Sequence, residues 1–127
     1  MLYINDGSGI LMRATVGHLI ADGGRSRDIT CADIDNDGDL DIMIANQNAE
    51  KNFLYVNDGA ALFQRVLTGD FVNDAVSLGI SYSLDAVDID NDGDVDLLVA
   101  NNNGLNGLYL NEGTTPPQAP LQTLPPP

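Results

Sequence analysis

The chain has 127 residues, a mass of 13.5 kDa and a formal charge of −14, from 19 acidic against five basic side chains. That length suits one domain, and the charge excludes a nucleic-acid backbone or an anionic membrane surface as partner, because both would repel it. An apolar content of 43% excludes a disordered acidic tail, the single Cys31 excludes an internal disulfide framework, and no apolar run is long enough to insert in a membrane.

The first residues carry neither a basic region nor a long apolar stretch, so no signal peptide is expected there. Residues 2–16 read as two short strands around Asn5-Asp6-Gly7, a turn signal because these residues tolerate positive φ. Residues 29–34 form a short alternating run that leads into Asp33-Ile34-Asp35-Asn36-Asp37-Gly38-Asp39-Leu40-Asp41. Residues 41–46 leave this acidic loop as a strand whose run of apolar positions predicts burial on both faces. Residues 53–57 alternate, Asn57-Asp58-Gly59 turns, and residues 62–67 return. Together these predict four antiparallel strands over about 28–67. Residues 70–78 carry the one helical signal. Residues 84–89 and 96–101 repeat the strand–loop–strand pattern, and a further strand ends at Leu108-Tyr109-Leu110-Asn111-Glu112-Gly113, giving three strands over about 82–112. All six Pro fall within 116–127, so 114–127 reads as an extended Pro-rich linker or tail.

The acidic segment is duplicated. Asp33 to Asn46 matches Asp88 to Asn101 at an offset of 55, with ten of fourteen positions identical. A Leu-Tyr-x-Asn-x-Gly motif recurs at Leu2, Leu54 and Leu108. A period in this range is that of propeller blades or other arrays. The fold class expected is therefore all-β. It comprises four-stranded antiparallel sheets of the propeller-blade type, one complete (about 28–67) and two partial (2–16 and about 82–112), within a repeat region 1–113.

Ten of the 17 Asp lie in two nine-residue windows with no Lys or Arg. Carboxylates about 5 Å apart repel by roughly 3 kcal/mol per pair at an effective dielectric near 20, so a cation from solution is the simplest compensation. Asp-x-Asp-x-Asp-Gly-x-x-Asp suits a hard cation: short side chains at alternate positions converge when the loop curls, and Gly38 and Gly93 permit the curl. Ca²⁺ at two sites is the reading. By analogy with known calcium loops, Asp33, Asp35 and Asp37 are expected to offer side-chain oxygens, Asp39 its backbone carbonyl, and Asp41 to close the site. Asp88, Asp90, Asp92, Asp94 and Asp96 repeat those roles. Position 12 is Ile44 or Val99, so the loop is not an EF-hand, and with only His18 and Cys31 a zinc set is missing.

These motifs together resemble the FG-GAP/VCBS-type repeats of integrin-α-like β-propellers, over about residues 2–113. The resemblance implies Ca²⁺ in the acidic loops, a secreted or cell-surface setting, and a protein or glycan ligand. One full and two partial blades leave three expectations: the rest of a propeller comes from a longer chain, or from homo-oligomerisation, or the chain stands alone as a small two-sheet body with its N-terminal strands paired against the C-terminal blade. An accessory carbohydrate-binding domain of a polysaccharide-active enzyme is the alternative.

Tyr3, Tyr55 and Tyr109 are expected to pack between blades, with glycan stacking as the alternative. Cys31, where the other copy has Ala86, is expected to be a small buried hydrophobe. Arg25 and Arg27 are expected to pair with Asp22 and Asp28 or stay solvated. Without a nucleophile motif, a phosphate-cradling Gly loop or a Cys/His pair, no catalytic residue is expected, and the chain is expected not to be an enzyme.

Overall fold

The computed structural model describes residues 1–14, 17–48, 50–60, 62–73, 80–102, 104–113 and 122–123. Its strands are β1 (Tyr3–Asn5), β2 (Leu11–Arg13), β3 (Ser26–Ala32), β4 (Asp41–Asn46), β5 (Phe53–Val56), β6 (Gln64–Val66), β7 (Ile80–Val87), β8 (Asp96–Asn102), β9 (Gly107–Leu110) and β10 (Gln122–Thr123). Two single-turn helices, α1 (His18–Ala21) and α2 (Asp70–Asn73), each sit ahead of a larger sheet in sequence. Among the described residues no helix is long and apolar enough to cross a membrane.

The architecture is all-β and antiparallel, as expected. β1 pairs with β2 as a two-stranded hairpin; β3-β4-β5-β6 and β7-β8-β9-β10 are sheets in sequential order. Strand order follows from short connections, since consecutive strands joined by tight turns pair with each other. The second large sheet has three longer strands, and β10 at its edge adds only two residues, Gln122 opposite Leu110 and Thr123 opposite Tyr109. Otherwise the Pro-rich segment 114–127 lies outside the described residues. α2 begins where the helical signal predicted, while 74–79 lie outside the described residues. α1 was not expected: four residues with no acidic first turn leave little signature.

The alternation of side chains across a strand decides how the sheets meet. Met43, Ala45 and Leu54 line one face of the first large sheet and join Leu84, Leu97, Val99 and Tyr109 of the second, with Phe71 and Val72 of α2, in one core. Phe71 meets Tyr109 edge to face at 5.6 Å between centroids. Ile42, Ile44, Phe53 and Tyr55 line the opposite face, where Leu19 of α1 and Phe63 pack. Hence every residue of β4 is buried, as its apolar run predicted. In β8 the inner Leu97 and Val99 are buried, but Leu98 on the outer face is only half-buried. Tyr55 and Tyr109 are fully buried, which removes both from any glycan-stacking surface, whereas Tyr3 is 51% exposed. The Tyr55 hydroxyl donates to Asp22 Oδ2 at 2.7 Å, and Arg65 pairs with the same carboxylate at 3.3 Å.

One expectation is corrected. Cys31 is exposed: on edge strand β3 opposite Ile42, it stays outside the core clusters. Of the two alternatives for Arg25 and Arg27, exposure to solvent is the one found: both are exposed, Arg27 lies over the Tyr82 ring at 4.1 Å, and Asp22 pairs with Arg65.

Both sheets carry a register shift at matching places, Ser26/Asp28 in β3 and Ser81/Ser83 in β7. Bulges re-aim side chains. Asp28 projects across to the next sheet, where Oδ2 accepts from Ser83 Oγ at 2.9 Å and Leu84 N at 2.8 Å. The Leu84 backbone bond, then the Ser83 hydroxyl, holds the Asp28 carboxyl below its ordinary 3.8. A lowered folded pKa means that this group's stabilisation is present above 3.8 and is lost as pH falls through the folded value. Asp28→Ala is expected to cost about 1 kcal/mol at pH 7, the scale of a partly solvated charge-assisted bond. Its deficit should shrink as pH falls below 3.8 and through the lowered folded value; urea melts of both chains at neutral and at strongly acid pH check this.

Candidate metal centres

Each acidic loop joins two strands, β3 to β4 and β7 to β8, and its curl is written in backbone angles. Asn36 and Gly38 have φ of 60° and 95°, and Asn91 and Gly93 have 63° and 101°. Left-handed conformations suit Gly and, among residues with a side chain, Asn best. The sequence reading credited Gly38 and Gly93 with this role but missed Asn36 and Asn91, whose residue type was the available signal.

The curl is held by the carboxylates themselves. Asp33 accepts from Asp37 N at 3.0 Å and Gly38 N at 2.9 Å, and Asp37 Oδ1 accepts from Asp39 N at 2.9 Å. In the second loop Asp88 Oδ2 accepts from Gly93 N at 3.1 Å, Asp90 Oδ1 from Asp92 N at 3.2 Å and Asp92 Oδ1 from Asp94 N at 2.9 Å. These bonds draw the side chains inward. Asp33, Asp35 and Asp37 each offer an oxygen within 4.8 Å of the others; Asp88, Asp90 and Asp96 do the same. Such oxygen-only groups can hold a metal ion of the hard type. The two copies converge differently at the third position, where the first uses Asp37 and the second uses Asp96, the counterpart of Asp41.

Asp41 and Asp96 have a second task. Asp41 is wholly buried; its Oδ2 accepts from Ile34 N and its Oδ1 from Asn57 N, both at 2.8 Å. Asp96, equally buried, accepts from Ile89 N at 2.9 Å and Asn111 N at 2.7 Å. Each therefore ties the start of its loop to the turn two strands away. Burial pushes the Asp41 carboxyl up to about 6 despite those bonds, with Asp35 and Asp37 adding repulsion. Asp35 is raised by burial and then by Asp37, and Asp90 is raised as well.

Asp39 and Asp94 turn outward. A Cβ on Gly59 would lie 2.6 Å from Asp39 Oδ2, and a Cβ on Gly113 would likewise strike Asp94 Oδ2. Their carboxylates thus lie against the turn glycines of the Leu-Tyr-x-Asn-x-Gly motif, not among the converging oxygens. The turn asparagines do what their type predicts, Asn57 Oδ1 accepting from Gly59 N at 3.2 Å and Asn111 Oδ1 from Gly113 N at 3.3 Å.

One oxygen in each loop stands apart. Asp35 Oδ1 and Asp88 Oδ1 are buried and have no hydrogen-bond partner. Among the described residues two other buried side-chain atoms share that condition, Asn46 Oδ1 and Asn101 Oδ1, which lie toward the far ends of β4 and β8. A buried carboxylate oxygen without a donor costs more than an amide oxygen, because it carries charge. Its presence inside a group of three carboxylates, in both copies, fits a cation and fits no protein donor nearby.

Comparison with known proteins places these features in a family. Neither the curated proteins nor the solved structures gave a match. The family model described as FG-GAP-like repeat matches residues 33–99, more than half of the chain, from the first aspartate of one acidic loop to the strand that follows the other. The chain belongs to the FG-GAP-like repeat family.

Proposed function

We propose that the chain is a calcium-stabilised structural and interaction module, in which one Ca²⁺ per acidic loop rigidifies the strand pair on either side of it. The observation that carries this reading is the donorless buried oxygen among converging carboxylates, Asp35 Oδ1 in one loop and Asp88 Oδ1 in the other. The donors are all oxygens, which favours a hard cation, and a flexible loop rich in carboxylates favours Ca²⁺ over Mg²⁺, which keeps more of its water. Asp33, Asp35, Asp37 and Asp41, with the Asp39 backbone carbonyl, would hold the first ion. Asp88, Asp90, Asp92 and Asp96, with the Asp94 carbonyl, would hold the second. The ion supplies positive charge that offsets carboxylate repulsion; the fold supplies the curl.

The reading extends to assembly. The inner face of one large sheet packs on the outer face of the other, with a short helix between them, and this face-to-face repetition supports blades of a propeller. The rest of the ring would come from a longer chain or from further copies. The exposed loops would then meet a protein or glycan outside the cell or on its surface. The charge of −14 supports neither nucleic acid nor anionic lipid as partner.

Site-resolved titration tests the metal reading. Gly38 and Gly93 hold positive φ at the crest of each loop, so their amide resonances report loop order separately. Both should shift and saturate at millimolar Ca²⁺ and return on chelation. Asp35→Asn should silence Gly38, and Asp90→Asn should silence Gly93. Resonances indifferent to Ca²⁺ in the folded wild type would overturn the reading.

A further inference from the structure

We infer that the two acidic loops bind their cations cooperatively, through hydrogen bonds that join one loop to the other across the sheet interface. This rests on the reading that each loop holds a cation. Two links make the connection. Asn36, set between Asp35 and Asp37, donates its side-chain amide to Asp94 Oδ1 in the second loop. Asn111 donates its backbone N–H to Asp96 Oδ1 at 2.7 Å and its side-chain amide to Ile34 O at 2.8 Å, in the first loop. Ile34 in turn donates its N–H to Asp41 Oδ2 at 2.8 Å. A continuous path therefore runs from Asp96 through Asn111 and Ile34 to Asp41, beside the direct Asn36–Asp94 contact.

The path crosses between sheets and is not a by-product of the turn. Asn57, the counterpart of Asn111, donates its amide to Leu40 O at 3.3 Å, as Asn111 also does to Val95 O at 3.3 Å. The bond from Asn111 to Ile34 O is the addition that spans 77 residues. Asn36 makes its contact with Asp94 at φ of 60°, within the same curled loop in which Asp35 and Asp37 converge. The two-state element is thus the loop, curled or open. A cation that fixes the curl of the first loop also fixes the donor to Asp94 and the acceptor at Ile34 O. The second loop then closes on a partner already ordered, at a smaller loss of conformational freedom.

Charge alone acts in the opposite sense. A filled loop is less negative and attracts the second ion less, although screening limits this beyond about 8 Å at 0.15 M ionic strength. Positive coupling would therefore report the bonded links and not the field.

Calorimetric titration with Ca²⁺ at 0.15 M salt tests the inference. Asp35→Asn and Asp90→Asn each leave one site and give its lone dissociation constant. The product of those two constants, divided by the product of the two stepwise constants of the wild type, is the coupling factor. The expected factor is about five or more. Asn36 is exposed, and Asn36→Gly suits its positive φ while removing the amide. In that background, with the single-site variants remade, the factor should fall, and adding Asn111→Ala, which removes the donor to Ile34 O, should take it toward one with two ions still bound. A wild-type factor at or below one, or one that the two substitutions together leave unchanged, overturns the coupling and leaves the metal reading standing. Wild type that takes up no ion overturns the metal reading itself.

Discussion

Transferring the protein from millimolar Ca²⁺ to excess chelator is expected to lower its melting temperature by about 10 °C. At free Ca²⁺ about tenfold above the dissociation constant, each site adds roughly 1.4 kcal/mol to folding, so two add about 3 kcal/mol. For a chain of this length each kcal/mol moves the midpoint by about 4 °C. The effect is mechanical as well as electrostatic. Without the ion, the carboxylates of Asp33, Asp35 and Asp37 crowd within 4.8 Å with nothing positive among them, and the curl is held only by backbone donors. Differential scanning calorimetry in EDTA and after Ca²⁺ is restored checks the shift and its reversal. A calcium-specific gain absent with Mg²⁺ at equal concentration is part of the expectation.

pH modulates that gain. Asp41 has its folded pKa raised to about 6 from an ordinary 3.8, chiefly by burial. The metal-free protein then binds more protons folded than unfolded between those values. In chelator, this group's contribution is fully present below 3.8 and is lost as pH rises through about 6. Burial also raises Asp35 and Asp90, and so works in the same direction. Calcium, which needs the ionised forms, should stabilise progressively more from pH 4 to 7, so the two melting curves diverge across that window.

The second large effect separates carboxylates that also hold the backbone from a carboxylate that serves the ion alone. Asp41→Ala is expected to cost roughly 2–3 kcal/mol even in chelator, because the N–H groups of Ile34 and Asn57 both lose their acceptor beside a buried residue. Relief from burying a charge offsets part of this, and the unpaired donors win because two are orphaned at once. Asp96→Ala should behave alike, through Ile89 and Asn111. Asp35→Asn is expected to do the reverse. Its Oδ1 has no donor and its ionised form is disfavoured by burial and by Asp37, so neutralisation should leave stability in chelator unchanged or slightly higher. In Ca²⁺ the same variant should lose about half of the wild-type gain. Chemical denaturation of the three variants with and without Ca²⁺ gives the comparison; Asp35→Asn as costly in chelator as Asp41→Ala would refute this division of roles.

The acidic loops and the strands around them were legible because their signals are local. Alternate aspartates with Gly38 and Gly93 specify a curl, and the apolar run of β4 announces a strand with two buried faces. What lay out of reach depends on contacts between sheets. Asn111 looks like a turn residue in sequence and is one, yet its amide also reaches Ile34 O in the other sheet. Asp28 looks like a surface acid but crosses to Ser83 and Leu84. Cys31 was misjudged by analogy with Ala86, since a copy of a strand position does not carry its cover with it. Asp39 shows the limit from the other side. Its place in the motif suggested a backbone role, and its carboxylate does lie against Gly59, but only the packed turn accounts for the side-chain direction.

Counting bound ions tests the whole account at its root. Equilibrium dialysis of the folded chain against millimolar Ca²⁺ should give two ions per molecule, falling to one in Asp35→Asn or Asp90→Asn and to none when both are combined. A folded wild-type chain that retains no calcium above the dialysis background would contradict it.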